Sequence, residues 1–309
     1  MHPAYSVIFF TVASGAGLGL QVLLAALLLA GHVSPVSPVI LTGLGLAFVL
    51  ISGGLLSSTF HLGHPERAWR ALSQWRSSWL SREGVLAIVA VGSLALLIGS
   101  AFIAPLEALR PLGIWGSLLL PLPTIAATAM IYASLKPIPA WRNGWVVPSY
   151  LVLALMSGAL WLGAITAPFS GILPGQVVFA LVSLVAGAVV KLGYWRRVDR
   201  PEAAMRATGL GPAGTVRPFD PPHTQPNYLQ REMGYRIARK HAGKLRRVAF
   251  VAAFVVPLAL TLLSIVLPHW PAAGAAMLAA AIATFGLIVE RWLFFAEARH
   301  VVMQYYEGE

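Results

Sequence analysis

The chain has 309 residues, 58% of them apolar and only 11% charged, with a mean hydropathy of +0.75. Soluble globular chains carry about 25% charged residues, so this composition excludes an ordinary water-soluble domain and points to lipid as the solvent. The lack of any cysteine excludes disulfides, cysteine-ligated iron–sulfur clusters and thiolate zinc sites within the chain, and the +11 net charge lies between apolar runs, a membrane-topology pattern and not a nucleic-acid-binding one.

A membrane-spanning helix needs about 20 mostly apolar residues. Eight stretches meet this in turn: Tyr5–Ala30, Val39–Phe60, Gly84–Ile103, Leu112–Leu135, Trp145–Ala167, Gln176–Tyr194, Val248–Leu267 and Ala272–Phe295. Helices are expected, because open strands would leave unpaired backbone groups in hydrocarbon, and the runs lack the alternation of barrel strands. The fold class is therefore all-α, a polytopic bundle of eight transmembrane helices forming one domain over residues 1–309. The first stretch is too long for a signal peptide and has no basic residues before it, so it reads as a retained span. Prolines such as Pro35, Pro105, Pro137, Pro168 and Pro268 mark the turns, and Gly15-x-Gly17-x-Gly19 and Gly43-x-Gly45 allow close helix approach.

Eight spans put both termini on one side. Twenty-one of the 22 Lys and Arg residues fall on that side or near it, and only Arg110 lies opposite. The positive-inside rule then makes both termini cytoplasmic, in the inner membrane of a bacterium. Residues 196–247 read as a basic cytoplasmic loop between spans six and seven, helical in part over Tyr228–Arg247. It suits anionic headgroups or a soluble docking partner. Lys191, just before Arg196 and Arg197, is expected to snorkel to the interface. Glu290 and Arg291 of the last span lie close to the hydrocarbon, where ions are costly without partners. They form a structural ion pair or belong to a site.

Chemistry-bearing side chains crowd residues 59–83, which hold His61, His64, Glu66, Arg67, Arg70, Trp69, Trp75, Arg76, Trp79, Ser81, Arg82 and Glu83. Singly, each has an ordinary explanation. A histidine suits a helix C-terminus, Ser81 could cap the third helix ahead of Glu83, and tryptophans favour the interface. Together they suit exchange with a quinone, which moves two electrons and two protons at the membrane surface. A titratable imidazole and a carboxylate at one depth, His61 and Glu83, are the groups such proton transfer needs. His64, Arg67, Trp79, Ser81, Arg82 and, from the last span, Arg291 complete the candidate quinone-binding set, with His300 nearby. No span carries a histidine at mid-depth, so no haem is expected, and electrons must pass to or from a partner. A secondary transporter and a purely structural anchor are the alternative readings.

The segment H-L-G-H-P-E-R-A followed by L-S-R-E resembles the DmsC family, the membrane anchor subunits of dimethyl sulfoxide reductase. The match falls on His61, Leu62, Gly63, Pro65, Arg67 and Ala68, then Leu80, Ser81 and Glu83. In the last span E-R-W-L-F-F keeps the arginine, Arg291, but not the glycine before it. The resemblance implies menaquinol or ubiquinone chemistry at His61 and Glu83. It also implies two partners on the cytoplasmic face: a four-cluster ferredoxin-like iron–sulfur subunit and a molybdopterin catalytic subunit. Relatives that run in the oxidising direction include quinone-linked sulfite dehydrogenases.

Overall fold

The computed structural model describes residues 4–60, 64–171, 173–199 and 237–301. All eight apolar stretches are helical, and eight helices are long and apolar enough to cross a membrane. The first two are α1 (Tyr5–Leu29) and α2 (Pro38–Thr59), followed by a 3-10 segment, Pro65–Gln74. Next come α3 (Trp79–Phe102), the short α4 (Ala104–Glu107), α5 (Arg110–Leu119) and α6 (Pro121–Ala133), with α5 and α6 sharing one span broken at Pro121. Then come α7 (Val146–Ser170), α8 (Pro174–Val198), α9 (Ile237–Phe250), a π-helical turn (Val251–Val255), α10 (Val256–Val266) and α11 (His269–Ala296).

Most span ends shift by a few residues from the sequence expectation, and two of the shifts bear on the site. The third span starts at Trp79, because the Ser78 side chain accepts from the Ser81 amide at 3.4 Å and caps the helix. Ser81 is therefore a first-turn residue and not the cap, and Glu83 sits in the second turn. The stretch 196–247 is helical at both ends, since α8 runs to Val198 and α9 begins at Ile237. The part of Tyr228–Arg247 before residue 237 lies outside the described residues.

The π turn has a local cause. Pro257 lacks an amide hydrogen and cannot bond the carbonyl of Ala253, which loosens the ladder there and favours a widened turn. Gly286 of α11 fills the space beside it. A Cβ at Gly286 would stand 2.3 Å from the Ala253 amide nitrogen.

Helices α1 and α7 form the centre, and both are mostly buried within the bundle. They cross at Gly19 and Gly158, where a Cβ at Gly19 would lie 2.0 Å from the Ala154 carbonyl oxygen. Gly17 and Gly43 serve the α1–α2 contact in the same way, whereas a Cβ at Gly45 would meet nothing within 4 Å. Outer helices turn apolar side chains outward. On α8, Val178, Val182, Val185 and Val189 are exposed, while Ala180, Leu184, Gly187 and Lys191 face the interior.

Contacts across the bundle gather one set of helix ends. The Ser57 hydroxyl donates to the Ser6 carbonyl at 3.1 Å, and the Val301 amide donates to the Pro137 carbonyl at 2.9 Å. Arg246 at the start of the seventh span bonds Asp199 at 2.8 Å and Glu297 at 2.9 Å, tying together the ends of α8, α9 and α11. Among the described residues, this end carries all the Lys and Arg side chains but Arg110. At the other end, Arg110 bonds the Ser100 carbonyl at 2.8 Å and Glu107 at 3.2 Å.

Candidate functional site

Glu83 points into the protein and is 5% exposed. Its carboxylate accepts a 2.5 Å hydrogen bond from the Thr128 hydroxyl of α6, which also lies 3.1 Å from the Thr124 carbonyl oxygen. A carboxylate this deep needs such a donor, because burying an unpaired charge is prohibitive. Thr128 in turn lines a cavity of about 30 Å³ walled by residues of α1, α6, α7 and α11. Its polar wall consists of Thr11, Ser14, Thr128, Tyr150, Ser157 and Arg291.

Arg291 is 4% exposed and is held by its neighbour Glu290, Nε to Oε2 at 2.5 Å and Nη2 to Oε1 at 3.0 Å. Glu290, fully buried, also pairs with Lys191 of α8. The expectation that Lys191 snorkels to the interface is thus overturned: it is 1% exposed and turned inward. The reason is Glu290, whose charge at matching depth offers a closer partner than the headgroup layer. Lys191 stands over the rings of Tyr194 and Trp195, at 4.0 and 5.1 Å, and the Arg291 guanidinium lies over Tyr150 at 4.3 Å. With ions this deep in the bundle, a lack of interior charge no longer speaks against a transporter.

An aromatic box backs this group. Tyr132, Trp141, Tyr150 and Tyr194 surround Phe294 with ring centroids 5.7 to 5.9 Å from it. The Trp141 indole N–H donates to the Phe294 carbonyl at 2.9 Å. That bond fixes the α6–α7 connection against the last turn of α11.

The other sequence candidates are spread around this core. His61 lies outside the described residues. His64 and Arg67 are exposed on the 3-10 segment, and both share Glu66, at 3.0 and 3.8 Å. Arg82 turns back to the carbonyls of Trp75 and Arg76, at 3.0 and 2.6 Å, with its guanidinium 4.3 Å from the Trp79 ring. Ser81 is buried, and its hydroxyl meets no hydrogen-bond partner among the described residues. His300 is half-buried just past the end of α11. The structure thus brings Glu83 and Arg291 to one interior region and leaves His64 and Arg67 at the surface.

Sequence reasoning missed Thr128, Tyr150 and Lys191. One signal for Lys191 was present. It lies seven residues before the end of α8 and Glu290 lies six before the end of α11, so opposite charges stood at equal depth on spans running the same way. Thr128 and Tyr150 left no such mark, since single hydroxyls are common in spans.

The family model for the DMSO reductase anchor subunit (DmsC) matches residues 1–198. A sulfite dehydrogenase subunit of Allochromatium vinosum is 32% identical over 334 aligned residues, which span 100% of this protein and 99% of the relative. An anaerobic dimethyl sulfoxide reductase chain of Escherichia coli is 30% identical over 155 residues, 46% of this protein and 51% of its own length. A second such chain of the same organism, YnfH, is 27% identical over 153 residues, 48% of this protein and 51% of its own length. With eight candidate spans and this match, the protein is a multi-pass membrane anchor subunit belonging to the DmsC family.

Proposed function

We propose that this anchor exchanges electrons and protons between a quinone in the bilayer and an iron–sulfur partner subunit, within a molybdopterin oxidoreductase complex of the inner membrane. The partners dock at the basic end, which faces the cytoplasm under the positive-inside rule. The overall reaction best supported is sulfite oxidation, since the sulfite dehydrogenase subunit matches along the whole length and the dimethyl sulfoxide reductase chains over about half. In that direction sulfite and water yield sulfate, two electrons and two protons, and a quinone supplies the acceptor for two electrons and two protons.

The observation that carries the reading is the buried Glu83 carboxylate, bonded to Thr128, below a surface segment rich in Trp and Arg. The cavity behind Thr128, at about 30 Å³, takes water and not a quinone ring. The ring is therefore assigned to the other side of Glu83, among the end of α2, the 3-10 segment and the start of α3, where His61 belongs in sequence. Glu83 would then hold or release a proton at its carboxyl oxygens, and His61 would serve the second carbonyl. Trp79 and Arg82, stacked on each other, would line the entry, with His64 and Arg67 at its rim.

Glu83→Gln keeps the size and the Thr128 contact but cannot exchange a proton. General acid–base groups contribute about 10² to 10⁴ in rate, so quinone-linked turnover of the assembled complex should fall by about 10²-fold or more. Turnover within twofold of wild type, measured on a complex that retains all its subunits, would reject the assignment.

A further inference from the structure

Two buried polar groups on the cavity wall, Tyr150 Oη and Arg291 Nη1, lie near each other, and neither makes a well-formed hydrogen bond among the described residues. Buried polar groups are seldom left unpaired, and a cavity with several polar groups on its wall takes ordered water beside them. At about 30 Å³ the space admits about two water molecules. Ser14 and Ser157 offer further partners on the same wall, and Thr128 connects the wall to Glu83.

The charges around this cavity do not balance locally. Lys191 and Arg291 are two cations that share one carboxylate, Glu290. Within this buried trio one positive charge is in excess, and an uncompensated ion is expensive there. Glu297 is the next carboxylate in electrostatic range of Lys191; it shares Arg246 with the exposed Asp199, at the end of the bundle and away from this cavity's lining. Glu83 has no cationic partner among the ion pairs of the described residues, and its hydrogen-bond partner Thr128 lines the same cavity as Arg291.

We propose that the cavity is hydrated and that its water, through Thr128, joins Glu83 to Arg291, so that Glu83, Arg291, Glu290 and Lys191 form one charge-balanced unit with Glu83 ionised. This deepens the role given to Glu83 above. It makes Lys191 and Glu290 positioning residues: Glu290 aims the guanidinium, and Lys191 supplies the charge that Glu83 answers. When Glu83 takes up a proton, the unit is left one charge positive, which favours releasing that proton again.

Two measurements on the assembled complex test this, and neither depends on quinone turnover. The first is a structure at a resolution that shows ordered water. Water bonded to Tyr150 Oη or Arg291 Nη1 is expected, and a dry cavity overturns the proposal. The second is a melting-temperature cycle with Glu83→Gln, Lys191→Met and both together. Each single change unbalances the unit and both restore neutrality, so the double variant should lose less than the two singles summed and no more than Lys191→Met alone. Additive losses, or compensation of Lys191→Met by Glu297→Gln instead, overturn it. If Lys191→Met does not assemble, Lys191→Gln takes its place in the cycle. A Glu83→Gln complex that turns over quinone normally would reject the quinone site and leave this charge unit standing.

Discussion

Trp141 shows how a single indole closes a helix inside a membrane protein. The last carbonyls of a helix have no partner within it. At the end of α11 the Glu297 and Ala298 amides serve Leu293 and Phe295, and the Trp141 indole serves Phe294. Trp141→Phe keeps most of the ring packing and removes that donor. Leaving a buried carbonyl unsatisfied costs about 1–3 kcal/mol, so thermal unfolding in detergent should begin several degrees lower. An unchanged melting temperature would mean that water or another donor replaces the indole. At this scale the sequence was informative about single charged residues and poor about their partners. Glu83 stood out because it matched His61 in membrane depth, and Arg291 because ions are rare in spans. Lys191 was misjudged because nearby Arg196 and Arg197 suggested the interface, while its true partner lay 99 positions away on another helix.

Among the elements, the small-residue motif of α1 divides into positions with different tolerances. A Cβ at Gly19 would stand 2.0 Å from the Ala154 carbonyl oxygen, so the α1–α7 crossing cannot accept a side chain there. A Cβ at Gly15 would meet only Ala154 Cβ, at 3.8 Å, an ordinary contact. Gly19→Val should therefore abolish accumulation of folded protein in the membrane, whereas Gly15→Ala should accumulate near the wild-type level. Equal yields of the two would show that the crossing is looser than described. Hydropathy located all eight spans, because lipid leaves the backbone no option but helix. It could not place the start of α3, since Ser78 and Ser81 are both competent caps and only the folded turn selects Ser78. Nor could it foresee the π turn, which depends on Pro257 and on Gly286 from another helix.

For the whole molecule, the proposed orientation rests on charge asymmetry, and that orientation decides which face partners reach. The protein has no cysteine, so single cysteines report sidedness cleanly. In intact cells a membrane-impermeant thiol reagent should label Ser34→Cys, in the exposed turn between α1 and α2. It should label Gln74→Cys, exposed in the 3-10 segment, only after the membrane is opened. The reverse pattern would invert the orientation and move the partners to the other face. The family and the bundle were legible from a short motif and from hydropathy. The interior unit of Glu83, Thr128, Arg291, Glu290 and Lys191 was not, because it assembles from four helices distant in sequence. The most direct test of the quinone-reactive account is a photoactivatable quinone, cross-linked to the assembled complex in its membrane and mapped by peptide. The account predicts attachment within residues 59–83, reduced by excess unmodified quinone. Attachment confined to the partner subunits, or to the helix ends around Arg110, would contradict it.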